Sequence, residues 1–220
     1  MARPMFLDHL FSKDPDEQTY YVAVVGVSVV SIVLHELGHA LAATWEGDPT
    51  PKIRGHLTWD PRVHMGWPSI ILLLVAGLGW GSTPVTRSRF RHRRWGEAIV
   101  SFAGPAVNLL LVLVGAVALV LSAHAGAPHF VRVFWVVMTQ WNIVLFLFNM
   151  IPVPPFDGFG VLDGTVDLGD MGARMRGASV LAGWLIAAML VNFGVIPIFE
   201  WSNDISDALI RFVAGALGGG

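Results

Sequence analysis

The sequence predicts an all-α polytopic membrane protein: about four full transmembrane helices, a re-entrant segment carrying a short β-hairpin, and a C-terminal amphipathic helix. Three observations predict it. The 220 residues are 54% hydrophobic and only 14% charged, against about 25% charged in an ordinary soluble domain. Four apolar runs reach the ~20 residues that a bilayer crossing takes. One carboxylate and two imidazoles nevertheless sit inside the first run, where a charge at membrane depth costs at least ~2.5 kcal/mol, a cost seldom kept without a use. The net charge of −2 gives no sign of a nucleic-acid partner. The absence of cysteine excludes disulfides and thiolate ligands and leaves His, Asp and Glu as candidate metal ligands.

Residues 1–19 read as a non-membrane segment. They carry Asp8, Asp14, Asp16 and Glu17 and lack the basic start of a cleavable signal peptide. The first span is Tyr20 to Trp45, uncharged as far as Leu34 and interrupted by His35-Glu36-Leu37-Gly38-His39. On a helix, positions i and i+4 share a face, so His35 and His39 can offer two imidazole nitrogens to one ion. Glu36 stands beside them as general base for a metal-bound water, the HExxH arrangement of zinc peptidases. Gly38, Ala40, Ala42 and Ala43 give this helix a small-residue surface suited to close packing.

Gly55 to Trp59 reads as a short strand ending in the turn at Asp60-Pro61, an edge to which an unwound substrate can add. Pro68 to Val85 is apolar only over Ile70–Ala76 and then rich in glycine, so it reads as re-entrant. His56 and His64 read as interfacial polar residues, with a third or regulatory metal ligand as the alternative. His92 reads as a solvated member of a basic loop. The second span is Ala98 to Ser122, the third Val131 to Pro152 and the fourth Gly177 to Phe199. Asp163, Asp167 and Asp170 read as a solvated loop. From Ser202 to Leu217, Ile205, Leu209, Phe212 and Val213 recur at helical spacing, which suits a surface helix. The organisation is thus a leading segment (1–19), one membrane-embedded unit (20–199) and a tail (200–220).

Charge sets the expected orientation. Five of the fourteen Lys and Arg lie between Arg87 and Arg94, which places that loop in the cytoplasm. With Pro68–Val85 re-entrant, ten basic residues fall inside and four outside, and the two ends that carry His39 and Asp157 meet near the cytoplasmic face. Non-spanning backbone at membrane depth needs burial in protein or a water-filled cavity, and a hydrolase needs such a cavity.

A second motif, Asn149-Met150-Ile151-Pro152-Val153-Pro154-Pro155-Phe156-Asp157-Gly158, closes the third span. The prolines cannot continue a helix and turn Asp157 back toward the first span. Two His and one carboxylate, with the fourth position open, make a catalytic zinc shell. With both motifs in view, and with Ser101-Phe102-Ala103-Gly104-Pro105-Ala106-Val107-Asn108 between them, the sequence resembles the site-2 protease family of intramembrane zinc metalloproteases. It is similar to the compact bacterial and archaeal branch without PDZ or CBS domains. The resemblance implies zinc ligands His35, His39 and Asp157, Glu36 as catalytic base, a prokaryotic cell membrane, and cleavage of single-pass transmembrane proteins or signal-peptide remnants. Phe156 departs from the family's usual Leu, apolar for apolar. Asn149 and Asn108 are candidates for substrate or oxyanion contact, with interhelical hydrogen bonding as their plainer role. Two other classes of function remain alternatives: a non-catalytic membrane scaffold that keeps the fold, and a metal transporter using the same three ligands.

Overall fold

The computed structural model describes residues 6–218, apart from 167 and most of 178–196, where only 183, 185 and 189 are described. The described residues are helical and contain no strand. Helix α1 spans Pro15–Trp45, about 46 Å at 1.5 Å per residue. Asp14 caps it, accepting from the Asp16 N–H at 2.9 Å, with Pro15 at the first helical position and Asp16 and Glu17 in the first turn. All three suit a helix start. One face is buried from Tyr21 and Val24 through Val27, Ser31 and His35 to His39 and Ala43.

After the short helices α2 (Thr50–Ile53) and α3 (Pro61–His64), α4 runs from Gly66 to Ala76. Eleven residues make about 16 Å, roughly half a hydrocarbon core. Gly77 ends α4 in the left-handed conformation (φ 71°), which glycine adopts freely. The chain then returns alongside α4 without regular structure. The Ser69 hydroxyl bonds both the N–H and the carbonyl of Trp80 at 2.8 and 2.7 Å, and the Ser82 N–H donates to His64 O at 3.0 Å. The segment therefore goes out and comes back to the same end.

Helix α5 spans Arg93–His124 and α6 His129–Asn149. With α1 they are the three described helices long and apolar enough to cross a membrane. Each is a few residues longer at its start than the sequence reading has it, and α6 stops at Asn149 because Pro152, Pro154 and Pro155 follow. The three pack on one another closely where small residues allow it. A Cβ on Gly38 would meet Val107 and the Ala103 carbonyl, and one on Gly115 would meet Thr139. Ala40 and Ala43 are fully buried, as the small-residue surface predicts. Helix α7 (Asp157–Val166) lies on α5 through Gly160 and Gly164, facing Ser101 and Ala98, a small-xxx-small contact. Helices α8 (Gly169–Arg176) and α9 (Ile198–Ala216) follow.

Two expectations are corrected. The β-hairpin is not formed: residues 55–60 run as turn and bend. The backbone there is committed elsewhere, with Gly55 N–H and His56 N–H donating to Lys52 O and Pro51 O and Asp60 capping α3. Asp163 is not solvated but buried within α7, its Oδ1 accepting from the Leu168 N–H at 3.1 Å. The expected fourth span, Gly177 to Phe199, falls mostly outside the described residues. The tail is helical as expected but begins earlier, at Ile198. It turns Ile198, Ser202 and Ser206 inward and leaves Phe199, Ile205 and Phe212 exposed.

Candidate metal centre

Histidines 35 and 39 stand one turn apart on the buried face of α1, each 7% exposed. Their Nε2 atoms are 3.0 Å apart. Asp157 joins them from the first position of α7, its Oδ2 3.1 Å from His35 Nε2 and 3.3 Å from His39 Nε2. The local sequence explains this delivery. The turn between α6 and α7 is tight enough that a Cβ on Gly158 would collide with the Met150 carbonyl. Phe156 anchors the turn, buried edge-to-face on Phe148 at 4.8 Å and against Ile151 and Ile198. A larger apolar side chain before Asp157 is thus accommodated by ring packing.

The outer nitrogens of both imidazoles are committed. His35 Nδ1 lies 2.7 Å from Asn108 Oδ1, and His39 Nδ1 lies 2.7 Å from the Val100 carbonyl. Both partners accept here, since the Asn108 amide group donates to Asn142 Oδ1 at 2.9 Å. Each Nδ1 therefore carries the proton and each Nε2 presents a lone pair, the tautomer that metal-binding histidines take. Three lone-pair atoms then face one another, and Asp157 Oδ2 is buried without a hydrogen-bond donor. Such a cluster is repulsive unless a cation lies between its members. A tetrahedral ion held at about 2.0–2.2 Å sets its ligand atoms roughly 3.4 Å apart, close to the separations seen. His35, His39 and Asp157 can thus hold one metal ion. Gly104 of α5 completes the cradle, since a Cβ there would collide with Nε2 of both histidines.

Glu36 is buried beside them at 6% exposure. Its carboxylate is covered by the backbone of the returning segment, where a Cβ on Gly81 would sit 2.6 Å from Oε1, and its carbonyl accepts from the Thr83 hydroxyl at 3.0 Å. The two amides separate. Asn108 stands behind His35, fully buried, its carbonyl oxygen and one N–H already used. Its side chain thus backs the His35 imidazole. Asn149 donates to Leu145 O of its own helix at 3.0 Å.

The sequence reading missed Asn142 and Ser31. Asn142 is fully buried and donates to the Ser31 hydroxyl and to Met138 O, both at 2.9 Å, so a polar chain crosses from α5 through α6 back to α1. Asn142 is one of three amides in the uncharged run after Val133, with Gln140 and Asn149, and no spacing singles it out. Glu46 and Asp48 were missed as well. Both are buried at the end of α1 and bind the basic loop: Arg91 N–H donates to Glu46 O at 2.6 Å, His92 lies 3.2 Å from Glu46 Oε2, and Asp48 accepts from the N–H groups of Thr50 and Thr86. His92 is therefore an anchor as well as a surface residue.

Residues 22–127 match the model of Peptidase family M50. The chain is 40% identical over 192 residues to "Putative zinc metalloprotease YwhC" of Bacillus subtilis, an alignment covering 83% of this chain and 87% of that one. It is 32% identical over 153 residues to Rip2 of Mycolicibacterium smegmatis, covering 65% and 57%, and 28% identical over 211 residues to Rip3 of Mycobacterium tuberculosis, covering 91% and 43%. Both carry the same description as YwhC. No solved structure matches the chain.

Proposed function

The chain belongs to peptidase family M50, the site-2 protease family, and on that premise we propose that it is an intramembrane zinc endopeptidase that cuts peptide bonds within transmembrane segments. One observation carries the reading. The Nε2 atoms of His35 and His39 and Oδ2 of Asp157 converge within 3.3 Å, between helices apolar enough to span a bilayer.

In this reading His35, His39 and Asp157 are the zinc ligands and Glu36 is the general base. When bound, zinc lowers the pKa of water to about 7 and polarises the scissile carbonyl. Glu36 takes the proton of the attacking water on its carboxylate and returns it to the leaving amine. Burial under the Gly81 backbone keeps that carboxylate out of bulk solvent. Asn108 and the Val100 carbonyl hold the histidines in the required tautomer. A substrate helix must unwind locally to expose a bond already shielded by its own hydrogen bonds. Single-pass membrane proteins and signal-peptide remnants are the substrate classes that fit.

The bonding of the basic loop supports a cytoplasmic-side site, and the bacterial relatives support a prokaryotic cell membrane. The basic loop is bonded to the end of α1 through Glu46, the end nearer His39, and basic loops stay in the cytoplasm. The test is metal content of the detergent-purified protein, together with cleavage of a co-reconstituted single-pass substrate. We expect one zinc per chain in the wild type and in Glu36→Gln, loss of zinc in Asp157→Asn and His39→Ala, and cleavage lowered at least about 100-fold in all three variants. Zinc retained in Asp157→Asn would separate the two motifs. A fully loaded wild type that cuts no transmembrane substrate would favour a scaffold.

A further inference from the structure

A second histidine pair stands outside this centre. His64 closes α3 at 2% exposure, and His56 lies in the turn before it. Their rings meet edge to face, 5.5 Å between centroids and 81° between planes, the same mutual angle as the His35 and His39 rings at 4.7 Å. His64 Nε2 lies 2.9 Å from the Thr58 carbonyl, which only accepts. Nε2 therefore carries the proton and Nδ1 a bare lone pair. That Nδ1 is buried with no hydrogen-bond partner, and so is Nδ1 of His56. A buried unsatisfied group in an otherwise well-bonded fold points to an ion or a water.

Three features favour an ion. Burial and the neighbouring His64 hold the His56 pKa below its ordinary value, against the opposing pull of Glu36, so the ring is neutral and able to ligate at pH 7. A carbonyl behind one imidazole is the support that ligating histidines use. The Glu36 carboxylate supplies negative charge nearby: His64 O accepts from Ser82 N–H, and the preceding residue, Gly81, covers Glu36.

We propose that His56 and His64 bind a second divalent cation of the imidazole-seeking class, such as zinc, cobalt or copper, on the Glu36 side of the main centre. Two protein ligands make this site weaker than the three-ligand one.

The experiment is equilibrium dialysis of the full-length, zinc-loaded protein in detergent against rising free zinc, with metal counted per chain. The wild type is expected to bind one tight and one exchangeable equivalent. His56→Gln and His64→Gln keep only the tight equivalent, and Asp157→Asn keeps only the exchangeable one. A wild type that saturates at one equivalent overturns the proposal and leaves water as the occupant. So does a second equivalent retained in His56→Gln, a substitution at a half-buried turn residue that serves even where His64→Gln does not fold. Loss of the tight equivalent from the wild type would instead count against the peptidase centre, so the two failures are distinguishable.

Discussion

Asn108 accepts from the outer N–H of His35 and gives an N–H of its own to Asn142, so its removal is felt at the metal before it is felt in the core. Asn108→Leu should lower metal affinity about 10–100-fold, the usual cost of losing the partner of a ligating histidine, while helix content stays unchanged. Asn108→Asp keeps an acceptor for His35 and should recover most of the loss. Competition against a chromogenic chelator reads both, and wild-type affinity in Asn108→Leu would remove the positioning role. Glu36 divides differently. Glu36→Gln keeps size and burial, so metal should stay while the rate falls by roughly 10²–10⁴-fold, the scale of a general base. At this scale the sequence was legible wherever chemistry imposes spacing. His35 and His39 declare a shared helix face, and Asp157 after three prolines declares a turn. Asn142 and Ser31 declare nothing, because a single amide and a hydroxyl in apolar runs match any interhelical bond. Only the packing of α1, α5 and α6 shows that their chain ends on a ligand.

Helix α7 brings Asp157 to the histidines, and two glycines decide how close it lies. A Cβ on Gly160 would collide with the Ser101 side chain, and one on Gly164 would sit 2.5 Å from the Ala98 nitrogen. Gly160→Leu should therefore push α7 off α5 and release metal without touching a ligand. A matched Gly215→Leu in α9, where a Cβ meets nothing within 4 Å, should bind metal as the wild type does. Equal metal content in the two variants would show that α7 is not held through this contact. The elements misread from sequence lie where partners decide. Gly55 to Trp59 has strand-like residues, yet a strand needs a second one, and here neighbouring turns take the backbone. Asp60 ends that stretch as the cap of α3. The Arg62 side-chain hydrogen bond pulls its carboxyl down to about 2 from an ordinary 3.8. A depressed folded pKa means that the cap's contribution is complete above the ordinary value and is lost as pH falls through about 2. A carboxyl titration by NMR should find that low midpoint, and Arg62→Gln should return it toward 3.8.

Across the whole molecule, the three long helices alternate in direction and fix which ends share a side. His129 at the start of α6 lies 3.3 Å from Asp16 near the start of α1, so these two helices begin together. The basic loop is bonded to Glu46 at the other end. His39 precedes Trp45, the last residue of α1, by six positions, about 9 Å of helix. The metal centre is therefore nearer the basic-loop end than the His129 end. Hydropathy made the three spans legible, and the charge bias supplies the orientation expected of them. The out-and-back path of residues 66–86 followed from a helix too short to cross. The cover it places over Glu36 did not, because that cover depends on Gly81 meeting another helix. Orientation can be tested directly, since the chain has no cysteine of its own. Single cysteines at Lys13, Ser88 and Ala125 leave the ligands untouched. In intact cells an impermeant maleimide should label Lys13→Cys and Ala125→Cys, while Ser88→Cys should react only after the membrane is opened. Labelling of Ser88→Cys from outside would invert the molecule. The basic loop and the metal centre are bonded to the same end of α1, so that result would carry the centre to the outer face with the loop, and substrates would then have to be cut near their external ends.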